Sequence, residues 1–168
     1  MQSAGLTDAV HLMTSRDITK HHKSQASFGR ATATCLATVG LGNAVRIGSA
    51  PLAHQGVGTI NLLVHVDRPL SQAALVETIS IVAQARTVAM IDLPWKPSGV
   101  AVTGTGTDCI VVATPVHTDM EGFAGLHTDI GAAVGRAVYD AVWSGGNVWI
   151  AEQQRPELRS TCALAPAD

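Results

Sequence analysis

The sequence is poor in charged residues, in aromatic residues and in cysteine. Charged residues make up 14% and aromatic residues 4% of its 168 positions. The formal net charge is −2 and the Lys and Arg residues are scattered, so the basic stripe that binds nucleic acid is missing. Few aromatic side chains also mean few platforms on which bases could stack. We therefore expect no nucleic-acid partner.

Several motifs that would point to a metal, a cofactor or a membrane are missing as well. Cys35, Cys109 and Cys162 have no metal-ligand spacing, and their odd number argues against a disulfide framework. The sequence has no HExxH, CxxC, P-loop or dinucleotide fingerprint, so we expect no metal site and no nucleotide cofactor. No apolar run reaches the length of a membrane span, and the N-terminus lacks the pattern of a signal peptide. We expect a cytoplasmic protein.

The remaining composition is that of a chain that buries a core. Hydrophobic residues make up 46% of it, and 168 residues are most simply one domain. Apolar patterning predicts strands over residues 5–14, 28–39 and 59–66. The segment 16–25, with His21 and His22, is expected to be a polar connection. A glycine-rich loop is expected over residues 40–58, and such loops are often functional.

Two helices are predicted in the second half of the chain. The first has Ser71 as its N-cap, ends near Met90 and has a core-facing stripe of Leu75, Ile79, Val82 and Ala83. The second begins near Thr128, where Asp129 complements the helix dipole, and it ends at residues 144–146, Ser-Gly-Gly. Its expected core face is Ile130, Val134, Ala137, Val138 and Ala141, and Gly131 and Gly135 are expected to allow close packing on the sheet.

This order of elements predicts an α+β or α/β layered single domain. We expect a mixed sheet with two long helices packed on it. The domain should cover residues 1–145, followed by a C-terminal tail over residues 146–168.

Residues 103–108, Thr-Gly-Thr-Gly-Thr-Asp, precede an apolar strand that starts at Cys109. In an extended segment, Thr103, Thr105 and Thr107 would share one face, and Gly104 and Gly106 would leave the other face open to a ligand. Asp108 is a candidate general base, a threonine hydroxyl is a candidate nucleophile, and the glycine N–H groups are candidate oxyanion donors. A tight structural entry into a strand explains the same residues equally well.

The predicted start of the second helix supplies further candidates. N–H groups in a first helical turn favour an anion, and His127 beside them is a candidate acid or base. A capped helix with Thr128 as N-cap is the structural alternative. Asn43 and Asn61 are candidate ligand-binding residues, because a buried amide must find hydrogen-bond partners.

Several segments, in this order, together resemble one family. They are Thr-Val-Gly-Leu-Gly-Asn at 38–43, Gly-Thr-Ile-Asn at 58–61, Pro-Leu-Ser at 69–71, Thr-Gly-Thr-Gly-Thr-Asp at 103–108 and Gly-Leu-His-Thr-Asp-Ile-Gly at 125–131, which continues to Gly-Arg-Ala-Val-Tyr at 135–139. The chain resembles the adenosylcobinamide amidohydrolases over roughly residues 5–145.

The resemblance implies corrinoid salvage. Such an enzyme hydrolyses the amide that joins the corrin propionyl arm to aminopropanol in adenosylcobinamide or a cobamide, and it yields adenosylcobyric acid. The only cobalt is the substrate's own. On this reading Asp108 activates water or the Thr107 hydroxyl, and His127 protonates the leaving nitrogen. Gly104, Gly106 or Thr128 would hold the oxyanion, and Asn43, Asn61, Thr103 and Thr105 would bind the substrate.

The chain departs from the family pattern in two places. It has Gln84-Ala85-Arg86 where members usually have Glu-Ala-Lys, which leaves open a corrinoid-binding protein without catalysis. An amidase for another small amide is a third alternative. Members also tend to carry a further N-terminal stretch before the position of Gly5, so we expect a minimal or truncated form. A corrinoid is large for this chain, so its cleft is expected to be open or to be completed in a homo-oligomer.

Overall fold

Six strands and two long helices follow one another along the chain in a computed structural model that describes residues 9–50, 56–97 and 99–154. The helices are α1 (Gln72–Asp92) and α2 (Asp129–Gln153). The strands are β1 (His22–Phe28), β2 (Ala31–Val39), β3 (Ala44–Val45), β4 (Ile60–Val66), β5 (Gly104–Thr105) and β6 (Cys109–Ala113).

The main sheet has four strands in the order β1-β2-β4-β6, and β3 and β5 form a separate two-stranded sheet. β1, β2 and β4 pair in an antiparallel manner, whereas β4 and β6 are parallel. Parallel neighbours need a long crossover, and α1 supplies it. β6 therefore starts at the same end of the sheet as β4. The expected mixed sheet with two helices in an α+β layout is confirmed.

The helices cover one face of this sheet. Along β2, the buried residues alternate with partly exposed ones, and the buried side carries Ala31, Ala33, Cys35, Ala37 and Val39. These small side chains allow α2 to lie close to the strand. The whole stripe expected for α2 is buried, from Ile130 to Ala141.

The beginning of the chain differs from the expectation. Residues 9–14 contain no strand, and residues 5–8 lie outside the described part. The segment expected as a polar connection instead runs into β1, which starts at His22. β1 is an edge strand whose side chains alternate between a partly buried and an exposed face. The polar residues on its exposed face concealed the strand in the sequence.

Helix α1 begins as expected, but only part of the expected stripe faces the core. Ser71 caps it, because its hydroxyl accepts a hydrogen bond from Ala74 N at 3.2 Å. Of the expected stripe, Val82 is buried and Leu75 packs against the core, whereas Ile79 is 44% exposed. Thr78 is buried instead, because its hydroxyl donates to the Ala74 carbonyl at 2.7 Å and no longer needs water.

The expected end of α2 at residues 144–146 is wrong, because the helix continues to Gln153. A Cβ atom on Gly145 would lie 2.7 Å from Val39, and one on Gly146 would overlap Leu93. These glycines therefore permit close packing and do not end the helix. Residues 155–168 of the expected tail lie outside the described part, and the division of the chain at residue 145 stays a prediction.

Helix α1 is also long and apolar enough to cross a membrane. Its most apolar 18-residue stretch has a mean hydropathy of 1.4, and 33% of that stretch is buried inside the protein. The helix packs on α2, and Ala74, Ile81, Val82, Ala89 and Met90 on it belong to the core. A core helix passes the same test of length and composition, so this is weak evidence for a membrane span.

Candidate active site

Residues 103–108 do not form one strand with β6. Gly104 and Thr105 pair with β3, the chain turns at Gly106 and Thr107, and β6 then joins the main sheet. Thr103 and Thr105 are buried, whereas Thr107 is exposed. The expectation of three hydroxyls on one face is wrong, because the turn passes the chain from one sheet to the other.

Asp108 connects three parts of the fold. Its carboxylate forms a close ion pair with Arg86 Nη1 of α1 and accepts from Ile60 N of β4 at 3.2 Å. It also accepts from Thr105 N at 3.1 and 3.2 Å and, over a short distance, from the Thr105 hydroxyl. A carboxylate has about four lone-pair sites, so these donors occupy it. Asp108 thus has structural partners in the fold, and a catalytic role must use one of these contacts.

Gln84 and Arg86, which stand where family members usually have Glu and Lys, lie in two different environments. Arg86 pairs with Asp108, so the cation at this position has a structural partner. Gln84 is exposed, and its amide donates to Ser80 Oγ at 3.1 Å on the same helix. Residues 84 and 86 are thus not a pair, and the Gln84 side chain does not take part in the contacts of Asp108.

The hydroxyl that Asp108 contacts belongs to Thr105. The Thr107 hydroxyl donates to the Gly58 carbonyl at 3.0 Å and lies 2.8 Å from Thr59 Oγ1. The Thr103 hydroxyl accepts from Ile47 N at 2.8 Å and holds the loop after β3. Of the three, only Thr105 has the hydrogen bond from hydroxyl to base that activation of a nucleophile needs.

His127 lies at the opposite end of the sheet. It is exposed and precedes α2, whose first residue, Asp129, accepts from Arg30 N at 3.2 Å beside the turn between β1 and β2. That turn lies at the end of the sheet where β6 finishes, whereas Asp108 lies at the end where β6 begins. Five strand residues span about 16 Å. The structure does not bring Asp108 and His127 together.

His127 instead lines an open cleft of about 460 Å³, together with Glu77, Gln84 and Thr128. Thr128 is the N-cap of α2, since its hydroxyl accepts from Gly131 N at 3.0 Å and donates to the Gly125 carbonyl at 2.8 Å. The structural alternative for Thr128 is confirmed. Its role as an oxyanion donor stays a prediction.

Asn43 and Asn61 lie at the same end of the sheet as Asp108. Asn61 is 4% exposed, and its amide nitrogen donates to the Met13 carbonyl at 2.8 Å. Its Oδ1 has no partner among the described residues, and the same is true of Asn43 Oδ1. Asn61 is in register with Thr38 and Cys109 on the face opposite the helices. Two buried amide acceptors are therefore unpaired within the part of the chain that the structure describes.

Buried polar atoms that have no partner among the described residues share one location. All lie at the end of the sheet where β1, β4 and β6 begin and β2 ends, which we call the Asp108 end. They are Arg16 Nε and Nη2, His22 Nε2, Thr38 Oγ1, Asn43 Oδ1, Asn61 Oδ1, Arg86 Nε and Trp95 Nε1. Each such atom costs about 1–3 kcal/mol, so their clustering marks this end as the candidate site.

A groove at this end was not found from the sequence. It has a volume of about 610 Å³, and its lining includes Arg16, Lys20, Trp95, Trp149 and Glu152. We call it the Arg16 groove. Glu152 pairs with Arg16 and Lys20, whose hydrogen bonds lower its pKa to about 2. No local signal could reveal this, because Arg16 and Glu152 are 136 residues apart.

Two other titratable groups lie in the sheet, His22 partly buried in β1 and Cys35 buried in β2. Burial lowers the pKa of His22, and the nearby Arg16 lowers it further. Burial raises the pKa of Cys35 to about 12, so this thiol stays protonated. In the described ranges, no group of three or more His, Cys, Asp or Glu side chains could hold a metal ion.

Comparison with known proteins identifies the family. A family model described as adenosylcobinamide amidohydrolase matches residues 1–154. The chain belongs to the adenosylcobinamide amidohydrolase family. The resemblance seen in the sequence is thereby confirmed. An adenosylcobinamide amidohydrolase of Halobacterium salinarum (strain ATCC 700922 / JCM 11081 / NRC-1) is 30% identical over 113 residues, which are 63% of this chain and 46% of that relative. The chain thus spans about half the length of this curated adenosylcobinamide amidohydrolase.

Proposed function

We propose that this protein hydrolyses the amide between the corrin propionyl arm and aminopropanol in adenosylcobinamide or a cobamide. The products would be adenosylcobyric acid and the free amine, in cobalamin salvage. Family membership over residues 1–154 is the observation that carries this proposal. The buried amide acceptors at the Asp108 end, which have no partner among the described residues, support it.

The substrate would be bound by its peripheral amides. A corrin ring carries many primary amides, which are hydrogen-bond donors. Asn43 Oδ1 and Asn61 Oδ1 are buried acceptors without a partner among the described residues. A substrate N–H group would satisfy each of them, and a ligand that lacks it would leave the acceptor unpaired. This arrangement favours a neutral, amide-rich ligand.

Asp108 would act as the general base through Thr105. The Thr105 hydroxyl donates to Asp108 and can accept from a water molecule on its own lone pairs. As the water oxygen attacks the amide carbon, its proton would pass to Thr105, and the Thr105 proton would pass to Asp108. Arg86 would keep the carboxylate in place. This proton path uses the hydrogen bond between Thr105 and Asp108 and leaves the ion pair of Asp108 with Arg86 intact.

The same groups would complete the reaction. Gly106 is exposed in the turn and its N–H group is the proposed oxyanion donor, whereas Gly104 is buried in β5. When the carbon–nitrogen bond breaks, the proton on Asp108 would return through Thr105 to the leaving nitrogen. His127, at the other end of the sheet, is not needed in this scheme.

The deciding experiment is incubation of the purified protein with adenosylcobinamide and measurement of released aminopropanol. We expect stoichiometric release together with adenosylcobyric acid. Binding of adenosylcobinamide without release would support a corrinoid carrier or sensor. A panel of other small amides would identify a general amidase.

We also propose that hydrolysis needs no cofactor, with cobalt present only in the substrate, and that the protein acts in the cytoplasm. A homo-oligomer would provide a larger cleft for the corrinoid. Activity retained after treatment with a chelator, and the mass of the protein in solution, test the first and the last of these points.

A further inference from the structure

The Arg16 groove contains polar donors that the fold itself does not use. The Arg16 side chain is 10% exposed. Its Nη1 donates to Glu152, but Nε and Nη2 are buried and have no partner among the described residues. Trp95 also lines the groove, and its Nε1 is a third buried donor of this kind.

We propose that the Arg16 groove is an oxyanion-binding site in which Nε and Nη2 of Arg16 donate two parallel hydrogen bonds to a carboxylate or phosphate group. These two nitrogens form one edge of the planar guanidinium, and their spacing matches two oxygens of such a group. The ion pair with Glu152 fixes the plane of the guanidinium. Binding therefore needs little further ordering of Arg16.

Geometry, more than net charge, supports this site. The groove is lined by two cations, Arg16 and Lys20, and by two carboxylates, Asp17 and Glu152. Glu152 is engaged by both cations, and Asp17 accepts from Thr19 N at 2.9 Å and from the Thr19 hydroxyl at 2.7 Å. The buried donors without a partner among the described residues belong to Arg16 and Trp95, and a ligand that accepts hydrogen bonds would satisfy them.

The groove adjoins the residues assigned to the substrate amides. Met13, whose carbonyl holds Asn61, precedes Arg16 by three residues. Gly42 lines the groove and is followed by Asn43. A Cβ atom on Gly58 would lie 2.9 Å from Asn43 Oδ1. Acceptors for amide N–H groups and donors for an oxyanion thus lie at the same end of the sheet. The oxyanion could be the carboxylate that amide hydrolysis creates or a phosphate group of the ligand.

The test is titration of the ¹⁵N-labelled full chain with acetate and, separately, with inorganic phosphate. We expect a saturable shift of the Arg16 Nε resonance, assigned by triple-resonance spectra of the wild-type chain. Tighter acetate binding indicates a carboxylate ligand, and tighter phosphate binding indicates a phosphate ligand. Calorimetry should show at least about tenfold weaker binding in Arg16→Lys, which keeps the charge but loses the paired donors.

Arg136→Lys is the matched control, because Arg136 makes an exposed pair with Asp140 elsewhere on α2, and its binding should be unchanged. An Arg16 Nε resonance that responds to neither anion would overturn the proposal, including the case in which a carboxylate of this chain already fills the position. If Arg16→Lys does not fold, the wild-type titration still decides. Anion binding without hydrolysis of adenosylcobinamide would refute the proposed function alone.

Discussion

At the scale of single residues, Asp108 combines a structural and a proposed catalytic role, which Asp108→Asn can separate. We expect turnover to fall by about 10²–10⁴-fold, because the amide cannot take the proton. The loss of the ion pair to Arg86 should also destabilise the protein by about 3 kcal/mol. Both should be measured, turnover well below the unfolding temperature and stability by urea unfolding.

Corrinoid binding, followed by visible absorbance, should persist in Asp108→Asn. The control is Asp140→Asn, which removes an exposed pair to Arg136 and should change stability by about 0.5 kcal/mol or less. Turnover near the wild-type level in folded Asp108→Asn would show that the carboxylate is purely structural.

Two neighbouring threonines test the path of the proton. Thr105→Val removes the hydroxyl that donates to Asp108, and we expect about 100-fold slower turnover. Thr107→Val removes a hydroxyl that contacts Gly58 and Thr59, so turnover should stay near the wild-type level. The opposite order, together with a covalent adduct in the intact mass, would restore Thr107 as the nucleophile.

At the scale of elements, the two glycines in the first half of α2 have different surroundings. A Cβ atom on Gly131 would overlap the Gly125 carbonyl oxygen, whereas one on Gly135 would meet nothing closer than Ile81 at 3.9 Å. The expected close packing is thus found at Gly131, against the preceding loop, and Gly135 has room for a side chain.

Substitution of these glycines by alanine should therefore have opposite effects. Gly131→Ala should destabilise the protein by about 1–3 kcal/mol, because the backbone must shift. Gly135→Ala should stabilise it by about 0.5–1 kcal/mol, because alanine favours the helix. Urea unfolding measures both, and equal effects of the two changes would contradict the packing described for Gly131.

The end of α2 is tied to the segment before β1 by Glu152, which predicts a dependence of stability on pH. The folded-state pKa of Glu152 is about 2, below its ordinary 4.5, chiefly because of the hydrogen bond from Arg16. Its contribution is therefore complete above about pH 4.5 and is lost as the pH falls toward 2.

Glu152→Gln should lower stability at neutral pH and remove this part of the acid dependence. Urea unfolding at about pH 6 and about pH 3 gives the comparison, since the difference in unfolding free energy between them should shrink in the variant. An unchanged difference would show that the pair with Arg16 does not stabilise the fold.

At the scale of the whole molecule, the two ends of the sheet make opposite predictions for ligand binding. The buried polar atoms without partners lie at the Asp108 end, whereas His127 lies at the other. Hydrogen exchange with adenosylcobinamide bound should therefore protect residues 40–43, 58–61 and 104–108. Residues 114–128 should exchange as in the free protein. Protection confined to residues 114–128 would move the site to the His127 cleft.

Much of the fold could be predicted where a pattern repeats along the chain. The apolar stripe of α2, the N-cap at Ser71 and the buried alternation of β2 follow from local periodicity and were confirmed. The edge strand β1 and the continuation of α2 through Gly145 could not be predicted in this way. Both depend on what packs against them, and neighbours in space are not encoded in the local pattern.

The family and the residue types of its motifs were determined by the sequence alone, because they are properties of the order of residues. Only the tertiary structure decided how residues 103–108 are used. A turn at Gly106 splits them between two sheets, so Thr105 and not Thr107 contacts Asp108. It also separated His127 from Asp108 and brought Arg16 to Glu152. These contacts and separations depend on the crossover through α1 and on the packing of the helices. Both bring together residues that are far apart in the chain.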